Sequence, residues 1–572
     1  MSWISDFVRL FGFLTRWSRS IRGSKAMMIG VVIAGALSGL CNAAFLVVIN
    51  ASLKDPSHRV PPLVWSFVGL CLLLPVSRFI SGALLLKLAG RAGFELRVQL
   101  ARKILAAPLR TLEELGSHRL LATLTDDITA ITGAVVSYPN LFMQLFIVLG
   151  CLTYLGWLSW GALLGVIAFM VLGVLTYQLP VLAADRLMSA GRDDWDIVAK
   201  GIQGLTGGTK ELKLHQGRRR EFFTGSFEPA AAEMQRKGVV GRTILHAASC
   251  WGQILFFVVI GLALFVLPGY QGVDRTVLTG FILILLYMMT PIESLLGAIP
   301  TLATAAVSVR KIESLGLSLE PEVADAKLFE LRPVEAGWQK LELTGVTHEY
   351  RVENSDESFR LGPIDLTLQP GELLFLTGGN GSGKTTLAKL LCGLYLPEKG
   401  EIHFGGAPVT QESREAFRQH FSAVFSDFFV FETLHGLTDG DVDALAAGYL
   451  RKLRLERVVS VEAGMFSRIA VSQGQRKRLA LLTAYLEDRP IYLFDEWAAD
   501  QDVTFKELFY RQILPELKAR GKTVIVISHD DHYYDAADRV IKLDSGKIES
   551  EVRHRPAAAG LQRPEGDHRA DL

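Results

Sequence analysis

The sequence predicts a chain of two parts, an all-α domain of six membrane-spanning helices followed by an α/β domain. Three observations carry this. Stretches without Asp, Glu, Lys or Arg recur through the first half, at 26–53, 60–77, 128–184, 243–273 and 276–292, and then stop. In the second half, short β-rich runs alternate with helical patterns, as in a sheet with crossover helices. The averages over 572 residues, 49% hydrophobic and 21% charged with a mean hydropathy of +0.28, suit neither a bilayer bundle nor a soluble domain because they mix the two.

Crossing the hydrocarbon takes about 20 mostly apolar residues. Six stretches qualify, at about 26–50, 62–86, 134–157, 160–183, 244–267 and 276–300. The 57 uncharged residues of 128–184 are long enough for two spans and a tight hairpin near Leu158–Trp160. A soluble core helix explains one such run, not six. A cleaved signal peptide is excluded by the length of the first run and by the five that follow. The segments 1–25, 87–127 and 185–242 carry 5, 7 and 11 basic residues, whereas the alternate connections near 54–59, 158–160 and 274–275 carry 2, 0 and 1. The basic segments are therefore expected in the cytoplasm, with both termini inside. Arg78 and Glu293 fall within spans, where charge is costly. They are candidates for a substrate pathway, the alternative being snorkelling to the membrane surface.

The five cysteines (Cys41, Cys71, Cys151, Cys250 and Cys392) show no C-x-x-C spacing. They are expected as small buried hydrophobes rather than as disulfides or zinc ligands. A net charge of +1 gives no reason to expect nucleic-acid binding. That value is a cancellation: residues 1–310 hold 28 basic and 17 acidic side chains, and the remainder holds 32 and 42.

The expected boundaries are 1–310 for the membrane domain with two long cytoplasmic loops, 311–336 for a charged linker containing Pro321 and Pro333, 337–552 for the α/β domain, and 553–572 for a disordered tail. Strands are expected at Lys340–Val346, Leu373–Leu376, Ile491–Phe494 and Thr523–Ile527. Between the second of these and a helical pattern at Thr386–Leu391 lies Gly378-Gly379-Asn380-Gly381-Ser382-Gly383-Lys384-Thr385, a full match to G-x-x-x-x-G-K-[ST]. Glycines let backbone N–H groups turn around phosphate oxygens, and the helix N-terminus adds positive potential. Lys384 would reach the β- and γ-phosphates of ATP, Thr385 would ligate Mg2+, and Thr386 follows at the same helix start. The apolar run Ile491–Phe494 ends in Asp495-Glu496, which suits a carboxylate in the magnesium shell and a second one activating water.

Between these motifs stands Val471-Ser472-Gln473-Gly474-Gln475. With it the chain resembles the ATP-binding cassette (ABC) transporters, whose signature is L-S-x-G-Q. The resemblance implies that Ser472, Gln473, Gly474 and Gln475 meet ATP held by a partner domain, so two chains would build two sites. A second copy of this chain is the simplest partner, and a similar chain the alternative. It also implies that Tyr350 stacks on adenine, that Glu496 is the general base and that His529 senses the γ-phosphate. Asp502 would serve as the D-loop aspartate, with Asp500 as a rival. Ser426, in Val424-Phe425-Ser426-Asp427, stands where the family has glutamine, which puts that coupling contact in question.

Membrane domain first and cassette second is the order of exporter-type half-transporters. Phe494-Asp495-Glu496-Trp497-Ala498-Ala499-Asp500-Gln501-Asp502 departs from the common D-E-P-T-S-A-L-D and is similar to bacterial cyclic-peptide and siderophore-precursor exporters of syringomycin and pyoverdine type. The implied activity is ATP-driven export of a peptide-like metabolite across the bacterial inner membrane, by alternating access. A multidrug or lipid exporter is the alternative, and a non-transporting ABC ATPase a remoter one. Pro108–Gly116 and Gly201–Leu214 are the expected coupling segments, one in each long cytoplasmic loop.

Overall fold

The computed structural model describes residues 24–54, 61–265, 275–314, 338–351, 358–437 and 441–554. Nearly all of the expected linker and tail lie outside these, but Arg553, expected as the first residue of a disordered tail, instead ends the strand Lys547–Arg553, paired with Arg539. Two compact units emerge, one from Met1–Leu105 with Leu115–Pro321, the other from Ala106–Glu114 with Glu322–Leu572.

Among its described residues the first unit has helices and no strand. Its long helices are α1 (Ser24–Lys54), α2 (Pro61–Ala106), α4 (Ile128–Leu158), α5 (Trp160–Gly207), α6 (Glu228–Phe265) and α7 (Arg275–Ser314). Among the described residues, six helical stretches are long and apolar enough to cross a membrane. Several run well past the apolar spans: α2 has 46 residues and α5 has 48, which at about 1.5 Å per residue exceeds a bilayer core of about 30 Å. The hairpin falls at Ser159, whose extended backbone breaks the ladder and whose hydroxyl accepts from Ala162 N–H at 3.4 Å. Pro75, Pro180, Pro291 and Pro300 lie inside helices, which membrane helices tolerate.

Helix α4 packs Met143, Ile147, Cys151 and Leu155, at helical spacing, against Phe281, Ile284, Leu285 and Met288 of α7. Against α1 the backbones approach closely: a Cβ on Gly39 would sit 2.5 Å from Phe146 Cβ, and one on Gly150 2.7 Å from Ala43 Cβ. Polar side chains bridge helices too, as Asn50 donates to Tyr154 Oη at 2.8 Å and Tyr287 donates to Asn42. Cys41, Cys151 and Cys392 are buried as expected, but Cys71 of α2 and Cys250 of α6 are exposed.

The second unit holds two main sheets. One is antiparallel, in the order β2 (Ser358–Leu368), β1 (Leu341–Arg351), β4 (Lys399–Phe404), β5 (Ala407–Pro408). The other runs β12 (Lys547–Arg553), β11 (Arg539–Asp544), β3 (Leu373–Gly378), β10 (Thr523–Ile527), β9 (Ile491–Asp495), β6 (Phe421–Val424), parallel except for β12. β9 and β10 are buried along their whole length, and β3 up to its last residue. This explains why they read as unbroken apolar runs rather than as alternating patterns. β7 (Val461–Glu462) and β8 (Met465–Phe466) pair in a small separate sheet. Helix α8 (Lys384–Leu391) follows β3, α9 (Val442–Lys452) follows β6, and α10 (Gln473–Glu487) precedes β9. Beneath them Trp497 stacks on Phe509 with ring centroids 4.4 Å apart.

Ala106–Glu114, which the sequence places in the first cytoplasmic loop, is part of this second unit. It includes most of the short helix α3 (Leu109–Leu115). Leu109 packs against the apolar cluster of β1 and α8. Arg110 donates to Glu398 at 2.8 Å, Lys389 donates to Glu113 at 2.7 Å, and Tyr395 also donates to Glu113. Gly201–Leu214 belongs to the first unit.

Candidate active site

Strand order decides where the motifs meet. β3, β10 and β9 are neighbours, with Ile527 opposite both Leu376 and Asp495. The segments beyond their carboxyl ends therefore open side by side, which is where ligands bind in open α/β sheets. The glycine loop, Glu496 and His529 all lie there.

Gly378, Gly381 and Gly383 have φ of +140°, +76° and +98°. A Cβ on Gly378 would lie 2.1 Å from Leu543 O and one on Gly383 2.8 Å from Leu361 Cδ1, so glycine is required twice over. Gly379 and Asn380 are exposed at the loop tip, and Ser382 is buried behind it. The first bond into α8 runs from Leu387 N–H to Gly383 O at 2.9 Å. The N–H groups of Lys384, Thr385 and Thr386 thus have no carbonyl within their own helix, and together with the loop they form an anion cradle. Lys384 is buried, with its ammonium over the Gly378 and Gly379 carbonyls at 3.0 and 2.9 Å. Burial pulls its pKa below the ordinary lysine value, and Glu496 and Asp495 work in the opposite sense.

Thr385 donates to Asp495 Oδ2 at 3.0 Å. Asp495 is 1% exposed, and its Oδ1 has no hydrogen-bond partner among the described residues. Burial raises its pKa, Glu496 and Asp427 add to the rise, and Thr385 and Lys384 oppose it. A hydroxyl beside a buried carboxylate with an open oxygen is a hard-donor set that fits Mg2+, which takes few protein ligands.

Glu496 has φ +50° and ψ +33°, a left-handed conformation that costs a non-glycine residue roughly 1–2 kcal/mol. Its N–H donates to Ile527 O at 3.0 Å, and its Oε1 lies 3.2 Å from His529 Nε2. The pair brings a carboxylate and an imidazole together at the mouth of the cradle. Just beyond, Lys506 donates to Asp530 at 2.9 Å, and the Tyr510 and Ser528 hydroxyls are 2.6 Å apart.

Ser472 caps α10 in a capping box. Its Oγ accepts from Gln475 N–H at 3.3 Å, and its own N–H donates to Gln475 Oε1 at 3.2 Å. Ser472 and Gln473 are exposed there, with Gly474 between Gln473 and Gln475. Asp502 caps the next helix through Phe505 N–H and pairs with Arg478 at 2.9 Å, and the Phe505 N–H holds its carboxyl below the usual range. Ser426 and Asp427 are exposed just past β6, and Asp427 is the one whose charge is felt at Asp495. Tyr350 is on β1 opposite Phe359, but its side chain lies outside the described residues.

In the first unit Glu293 of α7 accepts from Gln253 of α6 at 2.7 Å, while Arg78 is exposed on α2. Among the described residues no ion pair joins Arg78 to Glu293. Lys477 forms part of the site yet belongs to no motif. The available signals are its place two residues after the signature and an extra carboxylate, Asp500, in the departing segment.

Residues 361–499 match the family described as ABC transporter, and residues 26–179 match the ABC transporter transmembrane region. The ATP-binding protein SyrD of Pseudomonas syringae pv. syringae is 38% identical over 532 residues, covering 91% of this chain and 94% of that protein. An ATP-dependent lipid A-core flippase of Alkalilimnicola ehrlichii is 27% identical over 582 residues, covering 96% and 94%. Among solved structures, a bacterial Atm1-family ABC exporter with ATP bound shares the fold, with a TM-score of 0.70 at 16% identity over 93% of this chain and 95% of that one.

Proposed function

This chain belongs to the ABC exporters, multi-pass membrane proteins driven by ATP, and from that premise we propose that a homodimer of it exports a peptide-like metabolite across the bacterial inner membrane. A cyclic peptide, lipopeptide or siderophore precursor is the substrate class, and both termini lie in the cytoplasm.

The observation that carries the chemistry is the meeting of Lys384, Thr385, Asp495, Glu496 and His529 beyond the carboxyl ends of β3, β10 and β9. The loop N–H groups and Lys384 hold the phosphates in line. Thr385 and Asp495 would hold Mg2+, which when bound would supply charge neutralisation for the phosphates. Glu496 takes a proton from the attacking water, and His529 orients the Glu496 carboxylate and faces the γ-phosphate. Exposed Ser472 and Gln473, with Gly474 and Gln475, contact ATP on the second chain. ATP thus gains its full contacts only when two cassettes close together, and its binding shifts the exporter between two states. Glu496→Gln should keep ATP binding and lower turnover by about a hundredfold or more. ATPase activity at the wild-type level in lipid would remove Glu496 from the role.

The peptide reading is supported by the segment Phe494–Asp502 and by an identity of 38% to SyrD against 27% to the lipid A-core flippase. The flippase supports the second reading, a lipid exporter. Deleting the gene separates them. Loss of a peptide-like product from the medium, with its accumulation in cells, supports the first. Envelope lipid held at the inner leaflet supports the second.

A further inference from the structure

The segment that departs most from the family pattern is bonded along its length to the start of the signature helix. Lys477, on the second turn of α10, is 3% exposed. Its ammonium donates to the carbonyl of Glu496 at 2.9 Å and pairs with Asp500 at 2.7 Å. Its own carbonyl accepts from the Trp497 indole N–H at 2.8 Å. Around it, Gln473 donates to Asp500 at 3.1 Å, Gln501 donates to Gly474 O at 3.0 Å, and Arg478 donates to Gln501 at 2.9 Å. A Cβ on Gly474 would lie 3.1 Å from Asp500 O, so the two backbones are in near contact.

These bonds join two segments with different tasks. The first turn of α10 meets nucleotide on a second chain, whereas Glu496 works on nucleotide in its own. Glu496 is held in a left-handed conformation, so its carboxylate direction depends on what fixes its peptide. On one side that is Ile527 O. On the other the Glu496 carbonyl accepts from Lys477 at 2.9 Å and from Ala499 N–H at 3.3 Å, and Lys477 is a buried charge that also pairs with Asp500.

We propose that Lys477, braced by Asp500, is a positioning residue that ties the signature turn to the Glu496 peptide, so that engagement of the partner's nucleotide sets the general base of this chain's own site. The proposal rests on the two-chain reading above, and it makes the two sites cooperative. Neutralising Lys477 leaves the phosphate cradle intact. It removes the bond from the signature helix to the Glu496 carbonyl, leaves that carbonyl only the longer bond from Ala499 N–H at 3.3 Å among the described residues, and uncouples the base from the signature.

The test uses the full-length protein in lipid nanodiscs with Mg-ATP, comparing wild type, Lys477→Met, Asp500→Asn and Glu496→Gln. Wild-type hydrolysis should be cooperative in ATP. Lys477→Met should lower kcat by about tenfold to a hundredfold with KM within about twofold, because a misaimed base affects the chemical step and not binding. Its Hill coefficient should fall to about 1. Asp500→Asn, at a half-exposed side chain, should show a smaller loss of the same kind and decides the matter if Lys477→Met does not fold. Wild-type kcat in both variants, a kcat loss with cooperativity retained, or a non-cooperative wild type each overturns the proposal. Turnover surviving in Glu496→Gln removes the base assignment itself. An inactive Glu496→Gln beside unaffected Lys477 and Asp500 variants removes only the coupling.

Discussion

Asp495 answers to two opposed demands. As a buried carboxylate next to Glu496, with the charge of Asp427 also felt, it weakens the nucleotide-free fold, and as an open oxygen beside Thr385 it suits a cation. Its pKa is raised in the folded protein, so the folded state binds this proton more tightly than the unfolded one. The associated stability is therefore lost as pH rises from the unfolded value, about 3.9, through the raised one. Asp495→Asn should raise the Tm of the nucleotide-free protein, by an amount that vanishes in acid and grows toward neutrality, while abolishing Mg-dependent hydrolysis. Thermal unfolding across pH checks this, and a Tm that falls at pH 7 would show that the carboxylate is stabilising there. Single residues of this kind were legible when they sat in a motif with a fixed offset, as Lys384, Thr385 and Asp495 do. Lys477 was not, because its role arises from two segments that meet only after folding. The close approach of Gly474 to Asp500 was hidden for the same reason.

At the scale of elements, the short helix α3 makes a contact whose parts differ in strength. Arg110 and Glu398 are both well exposed, so their pair is worth under about 1 kcal/mol. Glu113 instead accepts from the largely covered Lys389 and from Tyr395. Its removal should cost about 1–3 kcal/mol. Glu113→Ala should therefore loosen residues 106–114 far more than Arg110→Ala, read as faster amide exchange there and as less transport per ATP hydrolysed. Next to it, buried His348 stacks on Tyr395, and burial together with Arg110 lowers its pKa. The unfolded state then binds this proton more readily, so stability falls as pH drops below about 6.5. Mild acid should loosen the same contact in wild type, and less so in His348→Gln. Helices and buried strands were readable as long uncharged or unbroken apolar runs. The antiparallel sheet was largely not, since β4 and the two-residue β5 are mostly uncovered and carry no apolar run, and β4 is held by β1, more than fifty residues earlier in the chain. Helix ends were missed where charged residues continue a ladder beyond the bilayer, as in α2.

For the whole molecule, the near-neutral charge conceals a basic membrane half and an acidic cassette half, a division already legible in the sequence. Where the chain divides in space was less legible. By residue order the cassette begins at about 337, yet residues 106–114 are part of its compact unit. The border between the units is therefore no single cut in the polypeptide, and a fragment of residues 337–552 would lack a piece of its own surface. It would present the seat of Leu109 bare and leave Lys389 and Tyr395 without Glu113. Such a fragment should be prone to self-association, and a free nine-residue peptide of sequence 106–114 should bind it, raise its Tm and restore solubility, whereas the same peptide carrying Glu113→Ala should not. If neither peptide changes the fragment, the nine residues are guests of that unit. If only the native one does, the cassette is a domain whose gene segment is discontinuous, and any exchange of cassettes between related exporters must move both pieces together.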